Sequence, residues 1–357
     1  MVEGWWCCCI IATLIPPIRH AISYMSLKNK GDIPAMWMAT NLHGCLLVSG
    51  GILGSQHTLA SPISLAGVGL HTGVNVHVRI CPAPANTGII FERTDLDGFT
   101  IPALSRYVAR VSYATSLMRK GVLISTTEHL LSALAGLGVD NAQVEIDNLE
   151  LPIMDGSALP FVEAIREVGL CKQRARRLYA RINKSLEIVD GAKRIAIHPA
   201  ERFRVTYSID FSHPLIGAQS LDFVNGEGMY ESEVAPARTF GFLTEVEMLL
   251  KSGLVKGGSL ENVVVLDKNR VMNPEGLRFP DEFCRHKILD LLGDISLLGH
   301  PLIGHVVADR AGHAMHAQLV SQLVSQRDYW ALVPTPEAEQ RASISPAAEL
   351  EPSGAPL

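Results

Sequence analysis

The stretch Arg285-His286-Lys287-Ile288-Leu289-Asp290-Leu291-Leu292-Gly293-Asp294 sets an imidazole and two carboxylates at steps of four residues. In a helix, positions i and i+4 lie one above the other, so His286, Asp290 and Asp294 climb one face. An imidazole and a carboxylate so placed can supply two of the three protein ligands of a catalytic metal, leaving a position open for water. Leu289, Leu291, Leu292, Leu297 and Leu298 surround the ladder, so its polar groups must find partners away from solvent. The plain alternative is a solvated pair, or a core histidine satisfied by its neighbours.

A second motif lies far upstream, in Ser125-Thr126-Thr127-Glu128-His129-Leu130. Thr126 or Thr127 is a natural N-cap, which puts Glu128 and His129 in the first helical turn. Adjacent helical residues point about 100° apart, so they cannot both aim at one atom. They can bracket a metal and its water, one as ligand and the other as base. The competing reading is a helix start with an exposed Glu. Two imidazoles and one carboxylate, His129, His286 and Asp290, form the zinc set these motifs suggest. The spacing is not that of an HExxH metalloprotease. A third element, Arg310-Ala311-Gly312-His313, offers an imidazole that Asp294 can hold in its cationic form, ready to stabilise an oxyanion or protonate a leaving amine.

The elements that must position these groups read as α+β. Val74–Ile80 alternates as a half-buried strand, and Pro82, Pro84, Asn86 and Gly88 turn the chain into Ile89–Arg93. Thr126–Leu137 has helical spacing, Ala142–Ile146 reads as a strand, and Ala158–Val168 as a second helix. A basic run, Lys172–Arg177, reads as a linker, after which the scheme recurs. Leu186–Val189, Arg194–Ile197 and Phe203–Ile209 are predicted strands, and Leu243–Ser252, Asp281–Leu292 and His313–Gln326 predicted helices. Two related domains, at 55–173 and 180–333, are therefore expected, with function at their interface. Residues 1–54 read as an irregular extension and 334–357 as a disordered tail rich in Pro, Glu, Ser and Ala.

The chain has 357 residues, of which 47% are hydrophobic and 19% charged, enough for two domains with large cores. A net charge of -5 argues against phosphate neutralisation, so no nucleic-acid partner is expected. Seven cysteines without regular spacing favour a reducing cytoplasm. No run approaches the roughly 18 apolar residues of a membrane span. The apolar stretch Trp5–Ile15 makes a poor signal peptide, since Glu3 is the only charge ahead of it. Its Cys7-Cys8-Cys9 triplet could be a lipidation or metal cluster, but the favoured account is an irregular extension, with upstream sequence ahead of a start at Met25, Met36 or Met38 as a further reading. No glycine-rich piece carries the phosphate-loop or dinucleotide pattern.

In order along the chain, Gly67–Gly73, Pro82–Gly88, Thr127–Leu130, Val139–Asn141, Pro152–Ala158, Ala237–Phe242, Gly257–Ser259, Asp281–Phe283, His286–Asp294 and Gly312–His313 resemble one family. It is the zinc-dependent UDP-3-O-acyl-N-acetylglucosamine deacetylase family of lipid A biosynthesis, matched over roughly residues 56 to 332. The resemblance implies a layered β-α-α-β sandwich that removes the N-acetyl group of an acylated UDP-N-acetylglucosamine. It implies zinc on His129, His286 and Asp290, with Glu128 as base, His313 held by Asp294, and Thr239 at the oxyanion. Lys287 falls on the diphosphate and carbonyl side. Lys193, Phe211 and His71 fall on the nucleotide side, and Phe240, Leu254 and Gly258 on the substrate, the latter two in an acyl passage spanning about Leu243–Asp267. Arg310 stands where a lysine is common, and His316 where an asparagine is usual. A cytoplasmic monomer is expected. A hydrolase acting on another acylated sugar nucleotide, or a non-catalytic zinc protein, are the alternatives.

Overall fold

A computed structural model describes residues 54–334. The expected extension and tail fall, but for their innermost residues, outside that range, as does the Cys7–Cys9 triplet.

The same topology occurs twice. The first main sheet holds β1 (Ile63–Val68), β2 (Asn75–Pro82), β3 (Ile89–Arg93), β4 (Phe99–Pro102) and β5 (Ala142–Ile146), in the order β1-β2-β5-β3-β4. The second holds β6 (Leu186–Asp190), β7 (Lys193–His198), β8 (Arg204–Phe211), β9 (Gly217–Val224) and β10 (His305–Asp309), in the order β6-β7-β10-β8-β9. In each, only the pairing of the last strand with the third is parallel; the others are antiparallel. Each sheet buries one face. In β2, Val76, Val78 and Ile80 point inward while Asn75, His77 and Arg79 stay outside, the period of two that the sequence displays.

The helices repeat too. In the first half α1 (Glu128–Gly136) precedes β5 and α2 (Leu159–Val168) follows it. In the second, after α3 (Met229–Glu233) and α4 (Leu243–Lys251), α5 (Glu282–Ser296) precedes β10 and α6 (His313–Ser325) follows it. Between its fourth strand and its first repeat helix each half also inserts a small three-stranded sheet, Val108–Arg110 with Ser116–Arg119 and Val122–Ile124, or Phe240–Phe242 with Val264–Asp267 and Arg270–Val271. The halves join through α1 against α5, giving sheet, helices and sheet in layers. That is the α+β architecture of two related domains read from the sequence.

Three local readings differ. The basic run is no loop: Leu170–Arg176 is a strand paired antiparallel with Ser55–Leu59. Its charged residues alternate with half-buried Gln173 and Ala175, which is a strand's period rather than a solvated linker's. Helix α5 runs on to Ser296 instead of stopping at Leu292. Its Gly293 is a point of contact, not a stop: a Cβ there would lie 2.1 Å from the Glu128 carbonyl oxygen of α1. Thirdly, Thr127 is the N-cap residue of α1 but caps nothing with its side chain, because Thr127 Oγ1 donates to Thr115 O at 3.1 Å.

Tyr230 of α3 packs fully buried on α1, where its ring lies over Gly136 and its hydroxyl meets Ser132 Oγ at 2.9 Å. Tyr230→Phe strips a buried hydroxyl of its partner. Chemical denaturation should show a loss of about 1 kcal/mol, and an unchanged midpoint would mean Ser132 finds another partner.

Candidate metal centre

Helices α1 and α5 bring the two sequence motifs together. His129, His286 and Asp290 are 5%, 2% and 2% exposed, so the ladder is not a solvated face. Their ligand atoms lie within 4.8 Å of one another. Asp290 Oδ1 is 3.3 Å from His286 Nε2 and 3.7 Å from His129 Nε2. His286 donates Nδ1–H to the Ala237 carbonyl at 3.0 Å, which leaves Nε2 as a lone pair aimed at Asp290. His129 Nδ1 is buried with no partner among the described residues.

The charge states suit a cation. Burial lowers His129 to about 3, helped by His286 and opposed by Asp290. Burial lowers His286 too. Although burial works against the charged form of Asp290, His286, Lys287 and His313 hold it ionised, well below the usual range. Two neutral imidazoles and one carboxylate, a group of three donors rather than four, match a catalytic rather than a closed structural site. Lys287 Nζ covers the other oxygen, Asp290 Oδ2, at 2.6 Å.

Two further groups flank the trio. Glu128 is 3% exposed, which overturns the exposed-Glu reading of the motif. Its Oε2 accepts the Thr115 N–H at 3.0 Å. Burial pushes its carboxyl up to about 8, with Asp294 and Asp290 adding to the effect and His313 opposing it. On the other side, His313 Nδ1 meets Asp294 Oδ2 at 2.7 Å, while His313 Nε2 lies 3.8 Å from Asp290 Oδ2. Burial disfavours the imidazolium, but Asp294 and Asp290 outweigh it and raise His313 to about 9. Asp294, despite its burial, is held at about 2, chiefly by His313.

Thr115 escaped the sequence reading. It is 1% exposed and touches both flanking groups: its N–H reaches Glu128, and its Oγ1 donates to Asp294 Oδ1 at 2.6 Å. Nothing local marks it, since the contact to Asp294 spans 179 residues. Buried Arg238 and Glu282 stand in stretches that carry the resemblance, but their pairing across 44 residues is not marked in sequence. Arg238 N and Nε both donate to Glu282 Oε1, at 3.0 and 2.9 Å, which fixes the segment bearing the Ala237 carbonyl and Thr239 against the start of α5.

The remaining predicted residues fall in three places. Phe240 packs edge-on to His286 at 6.5 Å and to Phe211 at 5.7 Å, with Lys287 Nζ over its ring at 5.7 Å. Lys193 and Arg310 immediately flank the Arg194–Asp309 register pair of β7 and β10, and Phe211 closes β8, so all three lie at one end of the second sheet. His71, Leu254 and Gly258 occupy another neighbourhood, where Lys256 N–H donates to the His71 carbonyl at 3.3 Å and Gly257 N–H to Leu70 O at 3.0 Å. Both ring nitrogens of His71 are buried without a partner among the described residues.

The model of the UDP-3-O-acyl N-acetylglycosamine deacetylase family matches residues 56–325. The chain belongs to that family. A UDP-3-O-acyl-N-acetylglucosamine deacetylase of Solibacter usitatus is 52% identical over 278 residues, covering 78% of this chain and 94% of the relative. One of the same name from Myxococcus xanthus is 49% identical over 286 residues, with 80% and 91% covered. As a member of a deacetylase family the chain is a hydrolytic enzyme, and the buried trio with its flanking Glu128 and His313 is where this fold concentrates ionisable groups. Among the described residues, no helix is long and apolar enough to cross a membrane.

Proposed function

We propose that this chain hydrolyses the N-acetyl amide of UDP-3-O-[(R)-3-hydroxyacyl]-N-acetylglucosamine to the free amine and acetate, with zinc held by His129, His286 and Asp290. The observation that carries the reading is the buried convergence of two neutral imidazoles and a carboxylate between Glu128 and the Asp294–His313 pair. When bound, zinc would polarise the amide carbonyl and make an adjacent water more acidic.

The chain's own groups account for the proton traffic. Glu128, steadied by the Thr115 N–H, takes the proton of the attacking water. His313 holds Nδ1–H against Asp294, so Nε2–H is free to face the oxygen that gains charge, together with Thr239. Either Glu128 or His313 then returns a proton to the departing amine. Lys287, Lys193, Arg310, Phe211 and His71 serve the UDP moiety, through charge and an aromatic face, while Phe240, Leu254 and Gly258 lie along the acyl side. The substrate is a soluble-headed small molecule met in the cytoplasm, and the chain acts as a monomer with domains at 55–173 and 180–333.

The test is acetate release from the acylated UDP-sugar, with metal content measured on the same sample. Chelation should stop release, and zinc should restore it. An acylated N-acetylglucosamine lacking UDP should be hydrolysed poorly. Equal rates on the two would point to another substrate, and turnover by metal-free protein would remove the zinc site from the mechanism.

The Asp294–His313 pair carries a pH prediction. A histidine raised to about 9 is cationic below that value and loses its charge as pH rises through it, so kcat should fall on the alkaline side. Asp294→Asn removes the carboxylate that does most to raise His313. The alkaline limb should then move to lower pH, as read from kcat against pH. A limb that stays put would belong to some other group.

A further inference from the structure

Asp294 has a second imidazole on it that the proposed chemistry leaves unused. His316 is fully buried on α6, three residues beyond His313. Its Nδ1 lies 2.9 Å from Asp294 Oδ2, the same oxygen that takes His313 Nδ1 at 2.7 Å. Its Nε2 lies 3.1 Å from the Tyr207 hydroxyl, and that hydroxyl also sits 2.9 Å from the Ala311 carbonyl. One side chain therefore links α5, through Asp294, to β8, through Tyr207, and by way of Tyr207 to the loop that delivers His313.

We propose that His316 is a positioning residue for deacetylation, which fixes the rotamer of Asp294 so that His313 is held with its Nε2 toward the metal trio. The inference rests on the reading that His313 takes part in the reaction. The physical argument is one of saturation and geometry. An ionised carboxylate only accepts, so both imidazoles must present Nδ1–H to it, and Thr115 Oγ1 supplies a third donor at 2.6 Å. Three donors arriving from a loop and from two positions on α6 leave Asp294 a single orientation. With His316 removed, Oδ2 keeps only His313, whose ring can then swing with the carboxylate. Groups that orient the residues around a metal in this way are typically worth about 10- to 100-fold in activity.

The role of His316 needs only its Nδ1 donor. An asparagine Nδ2 stands the same number of bonds from Cα as a histidine Nδ1, so it can reach Asp294, whereas it falls short of Tyr207. Leucine fills similar space with no donor. His316→Leu should lower kcat about 10- to 100-fold with KM little changed, zinc content retained and the folded fraction full by circular dichroism. His316→Asn should restore most of kcat even though the Tyr207 link is gone. A merely structural residue would instead shift the melting temperature of both variants and leave kcat per folded, zinc-loaded molecule alone. The proposal is overturned if His316→Leu keeps the parental kcat, or if His316→Asn is no better than His316→Leu. His313→Ala is assayed alongside. Full activity there would sink the assignment of His313 itself. Loss in His313→Ala with none in His316→Leu would sink only the positioning role.

Discussion

Glu128→Gln will turn over about 10²- to 10⁴-fold more slowly than the parent, with zinc still bound and KM near its original value. The amide keeps the shape of the carboxylate and an oxygen for the Thr115 N–H, so the local structure survives. What it loses is the ability to accept a proton. At about 1.36 kcal/mol per tenfold, the expected barrier increase is about 3–5 kcal/mol, which is what one well-placed base contributes. Stability should move the other way. Burial raises Glu128 to about 8, so the unfolded chain ionises at ordinary carboxylate pH while the folded, metal-free protein resists it. Stability from this group is present at acid pH and lost as pH rises from the unfolded value through about 8. Metal-free Glu128→Gln should therefore melt higher than the metal-free parent at pH 7–8, and a cation in the trio should narrow the gap by favouring the carboxylate. Near-parental kcat in zinc-loaded Glu128→Gln would take the base assignment away from this residue.

Helical periodicity is why so much of the site was legible. His286, Asp290 and Asp294 stand at steps of four, and a helix converts those steps into one face whatever it packs against. Glu128 and His129 were legible for a similar reason, since their threonines mark a helix start. The repeated order of strands and helices needed only the switch between periods of two and 3.6. Legibility ends where contacts are purely tertiary. Thr115 sits in a loop with no pattern, and its value comes from Asp294, 179 residues away. His316 was visible as a departure, yet the sequence could not show that its ring faces the Asp294 carboxylate. The basic strand Leu170–Arg176 is masked by its composition, because its Lys and Arg residues obscure the alternation of exposed and half-buried positions.

The duplicated topology also explains why this site lies where it does. Each half contributes its first repeat helix to the joint, so α1 brings Glu128 and His129 from one half while α5 brings His286, Asp290 and Asp294 from the other. Neither half holds the whole trio. Both inserted sheets bear on the site: Thr115, between the first two strands of the first, braces Glu128 and Asp294, and Ala237, just ahead of the second, orients His286. The alignment of α1 on α5 thus sets how the proposed base meets the proposed ligands.

Gly293→Ala should show this directly. The added Cβ would stand 2.1 Å from the Glu128 carbonyl oxygen, 2.8 Å from its carbon and 2.9 Å from its Cα. All three are backbone atoms, so no rotamer change relieves the clash and the helices themselves must part. By helix propensity alone alanine would be favoured over glycine by about 1 kcal/mol, so the glycine is kept for the approach it allows. Overpacking a rigid contact of this kind costs about 3 kcal/mol, the upper part of the usual range. The displaced atoms belong to the residue proposed as base and to the helix bearing two of the three proposed ligands. A shift of about 1 Å there is enough for a 100-fold loss in kcat, beyond any loss of folded protein. Gly226→Ala provides the comparison, since its Cβ would meet only Met229 Cγ, at an ordinary 3.4 Å. Denaturation midpoints, zinc content and kcat of the two variants separate the cases. If Gly293→Ala melts and turns over like Gly226→Ala, the close approach of α1 and α5 is not what holds base and ligands in register.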